Sequence, residues 1–348
     1  MGISSRGGLS CVSKRELHRR AGNRQNARMI QSRSLQYGWL RPLMTLVFVI
    51  VLATVFSPRD GGMPIFWRAD NWANVLRQIS DIGILAMGMT LVIVSGGIDL
   101  SVGSLLALSC TVFAYTFTRV PAAWSPAAGI LLAVGSASLF GLLAGVVVAR
   151  FRMQPFIVTL AVMIGSRGLA KWLVGNATIA VGYDDRTKPL VDFIGQKAFV
   201  VPAFVAVTLF ALILLNWTRF GRYLMAVGGS EDAARLSGIN VSWVKIRVYL
   251  LSGLIAGIAG VLYCCETHQG DPKAGMAYEL DAIAAAVIGG TSLSGGKGGI
   301  VGTVVGALAL GILSNVLGLN SVDENVQWML KAGIILVAVW LQQVGARR

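Results

Sequence analysis

Val94-Ser95-Gly96-Gly97-Ile98-Asp99-Leu100-Ser101-Val102-Gly103-Ser104 sets one carboxylate, three serines and three glycines between two strongly apolar runs. A carboxylate turned toward lipid costs about 2.5–3.5 kcal/mol on insertion scales. Asp99 is therefore expected to face protein, a water-filled cavity or an interface. Glycines at such a place break a helix and let backbones approach closely. Membrane transport proteins build irregular backbone at membrane depth with breaks of this kind.

The rest of the chain agrees with a membrane reading. Of its 348 residues, 55% are hydrophobic and 13% charged, where a soluble domain carries roughly 25% charged residues. The sequence predicts an all-α fold, a polytopic transmembrane helical bundle. The formal net charge of +14 does not point to nucleic acid. The basic residues form short clusters beside apolar runs, where cytoplasmic loops need them. Cys11, Cys110, Cys264 and Cys265 lack metal-ligand spacing, and His18 and His268 are the only histidines. No metal centre, catalytic triad or cofactor is expected. Cys264 and Cys265 read as small buried hydrophobes.

Residues 1–41 hold nine Lys/Arg against Glu16 alone and show no periodicity. They are expected to form a disordered, basic cytoplasmic tail before an uncleaved first anchor. Apolar runs follow near 42–57, 81–95, 101–118, 127–149, 155–174, 199–217, 247–265, 281–291, 299–318 and 327–344. A full span needs about 20 residues, so the 81–95/101–118 pair and the 281–291 run are candidates for broken or re-entrant helices. About ten membrane segments, or eight with two re-entrant ones, put both termini inside. With ten, nineteen of the 30 Lys/Arg fall on the inner side, as the positive-inside rule requires. The outer loops, near 58–80, 175–198 and 266–280, carry mixed or acidic charge.

A second Gly/Ser-rich break runs from Gly289 to Gly299, and its Gly289-Gly290-Thr291-Ser292-Leu293-Ser294 echoes Gly96-Gly97-Ile98-Asp99-Leu100-Ser101. Paired interruptions in two halves of a chain point to a transport pathway. Gly96, Gly97, Asp99, Ser101, Gly289, Gly290 and Ser294 are the candidate gating residues. The second break is not a phosphate loop, because Thr291 stands where glycine is needed and Gly298 follows Lys297. Between 218 and 245, Ser230 is a suitable helix N-cap, with Glu231 and Asp232 in the first turn and Gly238 as the stop. Together with Gly229 and Arg235 they outline a short charged helix flanked by glycines, fit either to dock a cytoplasmic partner or to lie solvated. Glu279 and Asp281 sit at the mouth of an apolar run, where interface residues are expected. Arg167 and Lys171 are expected to snorkel toward the surface. Gly141/Gly145, Gly253/Gly257 and Gly302/Gly306 are small-xxx-small patterns for close helix packing.

Four elements together resemble permease subunits of bacterial ABC sugar importers of the ribose/xylose/galactose/galactofuranose type. They are Gly88-Met89-Thr90 leading into Ser95–Ser104; Gln154-Pro155-Phe156-Ile157-Val158-Thr159-Leu160; Thr218-Arg219-Phe220-Gly221 through Ser237-Gly238-Ile239; and Glu279-Leu280-Asp281-Ala282-Ile283-Ala284 through Gly296. The likeness leans toward the galactofuranose-type permeases and covers 42–343, within a permease domain set at 42–346; the basic tail is longer than that family leads one to expect. The resemblance implies a cytoplasmic ATP-binding subunit, a periplasmic sugar-binding protein, a second permease and surrounding membrane lipid as partners. It implies that 218–245 is the coupling segment, that the chain itself hydrolyses nothing, and that it sits in the bacterial inner membrane. The rival class, an ion-coupled secondary transporter, needs acid or base residues at membrane depth, for which Asp99 alone gives thin support.

Overall fold

The computed structural model describes residues 40–119, 126–323, 325–334 and 336. The chain divides into two units, Met1–Arg41 and Pro42–Arg348. The basic tail expected over 1–41 lies, as far as residue 39, outside the described residues.

The helices are α1 (Leu40–Phe56), α2 (Ala69–Val94), α3 (Val102–Arg119), α4 (Pro126–Arg150), α5 (Pro155–Leu173), α6 (Lys188–Gly195), α7 (Lys197–Trp217), α8 (Arg219–Gly229), α9 (Glu231–Leu236), α10 (Val241–Thr267), α11 (Tyr278–Ile288) and α12 (Ile300–Leu319). Among the described residues seven of them, α2, α3, α4, α5, α7, α10 and α12, are long and apolar enough to cross a membrane. Residues 325–334 are helical and open the last predicted run; of its remainder only residue 336 is described. The all-α expectation holds. One antiparallel hairpin, β1 (Arg59–Asp60) with β2 (Met63–Pro64), and one long-range antiparallel pair, β3 (Ile179–Ala180) with β4 (Gln269–Gly270), are the strand pairings among the described residues.

The 81–95/101–118 pair is two full-length helices with the break between them, not two fragments. Helix α2 begins well before residue 81, so Asp70 and Arg77, expected in the outer loop 58–80, ride on the same helix as Asp81. The cause is tertiary. Asn71 is buried and exchanges amide hydrogen bonds of 3.0 and 3.1 Å with Asn315 of α12. Arg77 Nε meets Glu266 Oε1 of α10 at 2.7 Å. Polar side chains satisfied by protein can continue a helix that local hydropathy would end.

Only 281–291 is short, as α11 has 11 residues and covers about 16 Å. The chain before it has already entered the bundle without regular structure. Gly270 packs on Cys110 and Ala114 of α3, and Gly275 on Gly103 and Leu106 further along the same helix. This segment begins and ends in left-handed backbone, at His268 (φ 55°) and Ala277 (φ 65°).

Helices α2, α3 and α10 form the centre. Their most apolar windows are 83%, 72% and 72% buried, against 28% for α4 and 22% each for α5 and α7. Helix α10 lies on α4 through Gly253 against Gly141 and Gly257 against Val134, while Gly302 and Gly306 of α12 meet Gly289 and Ala285 at the α11 end. All three small-residue patterns thus serve packing within the chain. Cys110, Cys264 and Cys265 are free and buried, as expected for Cys264 and Cys265.

Candidate functional site

Both breaks start with the same helix stop. At the end of α2, Ser95 is the C-cap and Gly96 takes φ +83°; Gly96 N donates to Ile93 O (2.9 Å) and Gly97 N to Val92 O (3.1 Å). At the end of α11, Gly289 is the C-cap and Gly290 takes φ +90°; Gly290 N donates to Val287 O (2.9 Å) and Thr291 N to Ala286 O (2.9 Å). These are two Schellman motifs, which need a left-handed residue and so favour glycine. The sequence echo aligns Gly97 with Gly290, whereas the geometry pairs Gly96 with Gly290. The breaks are equivalent as structures, one residue out of step with their sequence alignment.

Asp99 is fully buried. Its Oδ1 accepts from Ser101 N (2.9 Å) and Ser101 Oγ (2.5 Å), and its Oδ2 accepts from Ser252 Oγ of α10 (2.7 Å). The carboxylate thus organises the turn into α3 and ties it to the central helix. Ser101 O accepts from Ser104 Oγ (2.7 Å), which in turn accepts from Ser166 Oγ of α5 (2.8 Å). Thr159 Oγ1 donates to Ile98 O (3.2 Å), which gives the Gln154–Leu160 motif its place: Pro155 opens α5 and Thr159 fastens it to the first break. The Gly88-Met89-Thr90 motif serves the other side. Gly88 faces the Ser252 backbone, and Thr90 Oγ1 lies 2.7 Å from Thr303 Oγ1 of α12.

The two breaks and the end of α8 converge through backbone. Gly296 N donates to Val94 O (2.9 Å). A Cβ on Gly228 would overlap the Val94 carbonyl and crowd Gly296 N; one on Gly295 would crowd Gly96 and Gly228 O; one on Gly296 would press on Gly229. Gly97 is closed on its other side by Tyr249 of α10, whose hydroxyl is buried without a hydrogen-bond partner. Ser294 is exposed and bonds Ser292 Oγ (2.8 Å).

The short helix expected between Ser230 and Gly238 is present as α9, and a second helix that was not expected, α8, precedes it. Thr218 caps α8, its Oγ1 accepting from Gly221 N (3.2 Å), and Gly221 leaves room for the Leu215 carbonyl where the chain turns out of α7. Ser230 caps α9 as predicted, its Oγ accepting from Ala233 N (3.3 Å). Gly238 stops α9 at φ +82° with a third Schellman pair, Gly238 N to Arg235 O and Ile239 N to Ala234 O, both 3.0 Å. Asn240 then caps α10, which starts inside the expected loop. Glu231 is engaged within the chain by Lys245, while Asp232 and Arg235 are exposed and Leu236 is 90% exposed. Of the two flanking glycines only Gly238 has the conformational need; a Cβ on Gly229 meets open space. The constrained neighbour is Gly228, which sequence reasoning passed over.

Arg167 does not snorkel. Its guanidinium turns inward and donates to Pro272 O (3.1 Å) and Ala274 O (2.5 Å), holding the irregular entry before α11. The Glu279 carboxylate packs against Gly103, and Asp281 pairs with Lys331 at 3.1 Å. Ser252, Tyr249 and Leu236 also escaped the sequence reading. For Ser252 and Tyr249 the one available signal was a polar residue placed on an otherwise apolar helix; Leu236 carried none.

Among the described residues, seven long apolar helices around two capped breaks define a multi-pass membrane protein. A family profile described as the permease component of a branched-chain amino acid transport system matches residues 71–339, and the chain belongs to that family. It is 44% identical over 305 residues to the ribose import permease protein of Escherichia coli (strain K12), covering 86% of this chain and 93% of that one. It is 39% identical over 310 residues to the ribose import permease protein of Bacillus subtilis (strain 168), covering 87% and 92%. It is 35% identical over 321 residues to the fructose import permease protein of Rhizobium meliloti, covering 88% and 86%. These names carry ribose and fructose, not the galactofuranose toward which the motifs lean. No solved structure matches the chain.

Proposed function

We propose that this chain is the membrane permease subunit of an ATP-driven importer, passing a monosaccharide handed over by a periplasmic binding protein through a pathway shared with a second permease. Relatives named as sugar import permeases support the substrate class. The observation that carries the mechanism is the meeting of Gly96, Gly228 and Gly295–Gly296. A partner that docks on α9 moves α8, and α8 ends against both breaks.

The exposed Asp232, Arg235 and Leu236 present the docking surface, with Gly229, Ser230, Glu231 and Gly238 shaping it. Gly96, Gly97, Asp99, Ser101, Gly289, Gly290 and Ser294 form the inner gate. ATP is hydrolysed in the separate cytoplasmic subunit. Arg150, Arg152, Arg219, Arg222, Arg235, Lys245 and Lys297 belong to the chain segments around the breaks and α8–α9, which supports a cytoplasmic position for that end, with both termini on the cytoplasmic side of the inner membrane.

Reconstitution in vesicles tests the reading. Uptake of labelled D-ribose or D-fructose is expected only with an ATP-binding subunit, a binding protein and ATP together. Uptake by the chain alone under a sodium or proton gradient overturns it.

A further inference from the structure

We propose that Asp81 and Glu266, flanked by Tyr263 and Tyr278, form a sugar-hydroxyl-binding station above the inner gate; this rests on the sugar-import reading. Asp81 lies on α2 about 20 Å along the helix from Val94. It is 5% exposed, and its Oδ1 has no hydrogen-bond partner. Glu266, near the far end of α10, has an 8% exposed side chain. Arg77 holds its Oε1 at 2.7 Å, and its Oε2 has no partner either. Asp81 lies one helical turn beyond Arg77 and within the electrostatic reach of both Glu266 and Arg77, while the guanidinium's ion pair goes to Glu266.

Buried carboxylate oxygens without donors are rare in folded proteins and call for a donor from elsewhere. The surroundings select its chemistry. Tyr263 and Tyr278 meet edge to face, with ring centroids 6.4 Å apart and planes at 81°. Both rings lie within the electrostatic reach of Asp81 and Glu266. Asp281, paired with Lys331, completes the polar border on the Tyr278 side. A metal ion is a poor occupant: among the described residues no group of three His, Cys, Asp or Glu converges, and Arg77 already supplies the local positive charge. A polyol fits. Its hydroxyls donate to carboxylates in strong, charge-assisted bonds, while its C–H face lies on aromatic carbon. Few polar groups among aromatic walls is the ordinary make-up of a small-molecule site.

The test uses the full chain with its ATP-binding subunit in nanodiscs, without the binding protein. D-ribose, D-fructose and L-arabinose are titrated one at a time by saturation-transfer NMR. At least one should bind the wild type, and Asp81→Asn and Glu266→Gln should each weaken it tenfold or more. Tyr278→Phe, which keeps the ring, should weaken it less than Tyr278→Leu. Thermal melts identify misfolded variants, and the tyrosine pair decides if a carboxylate variant fails to fold. Unchanged sugar binding in the folded variants overturns the proposal. So does stabilisation by sodium over choline chloride that Asp81→Asn abolishes, with no sugar signal. ATP-driven uptake by the wild type with its binding protein judges the importer reading separately; if that fails, the station falls with it.

Discussion

Asp99 shows how far a single residue can be understood from the chain alone. A lone carboxylate between apolar runs had to be satisfied by protein, and it is, by Ser101 and Ser252. That it needed partners was legible; that Ser252 supplies one was not, because the two lie 153 positions apart. Asp99→Asn keeps the shape and weakens charge-assisted bonds of about 1.5–3 kcal/mol each. It should lower the melting temperature and reduce ATP-driven uptake of every accepted sugar by a similar factor, about tenfold. A change in which sugar is preferred at normal flux would mark Asp99 as a specificity residue instead. The glycines divide more sharply. Gly228→Ala should collapse transport, because its Cβ overlaps the Val94 carbonyl, whereas Gly229→Ala should transport at close to the normal rate. Uptake assays on the two neighbouring variants read the difference directly.

At the scale of elements, local chemistry was legible and distant pairing was not. The ends of α9 could be placed from Ser230 and Gly238, since caps are decided within a few residues. The start of α2 could not, since it depends on Asn315 and Glu266. Helix α8 was missed because its glycine and arginine content reads as loop, and its packing against the breaks supplies what propensity lacks. Ser230→Ala should destabilise α9 by about 1 kcal/mol, visible as faster amide exchange at Ala233. Leu236→Ser touches no core, since the side chain is 90% exposed. It should leave membrane insertion and melting unchanged while reducing co-purification of the ATP-binding subunit at least tenfold. Equal recovery of that subunit would remove α9 from the docking surface.

At the scale of the molecule, α2 packs along both α11 and α12, so each break is anchored on a shared helix surface. The Thr90–Thr303 pair is a side-chain link between α2 and α12 in that packing. Thr90→Val and Thr303→Val should be non-additive in a stability cycle by about 0.5–1.5 kcal/mol; strict additivity would show that the pair transmits nothing. Among the described residues, the hydrogen bond from Gly296 N to Val94 O is the only backbone bond that crosses between the two breaks. A hydrogen bond of this kind has a net worth of about 1 kcal/mol, a small part of what packs α2 against α11 and α12. The bond is thus a weak catch set into a closely packed seam. On the proposed coupling, a docked partner moves the seam only by its difference in affinity between the closed and the parted arrangement, and the exchange rate of the Gly296 amide is where that movement would be recorded.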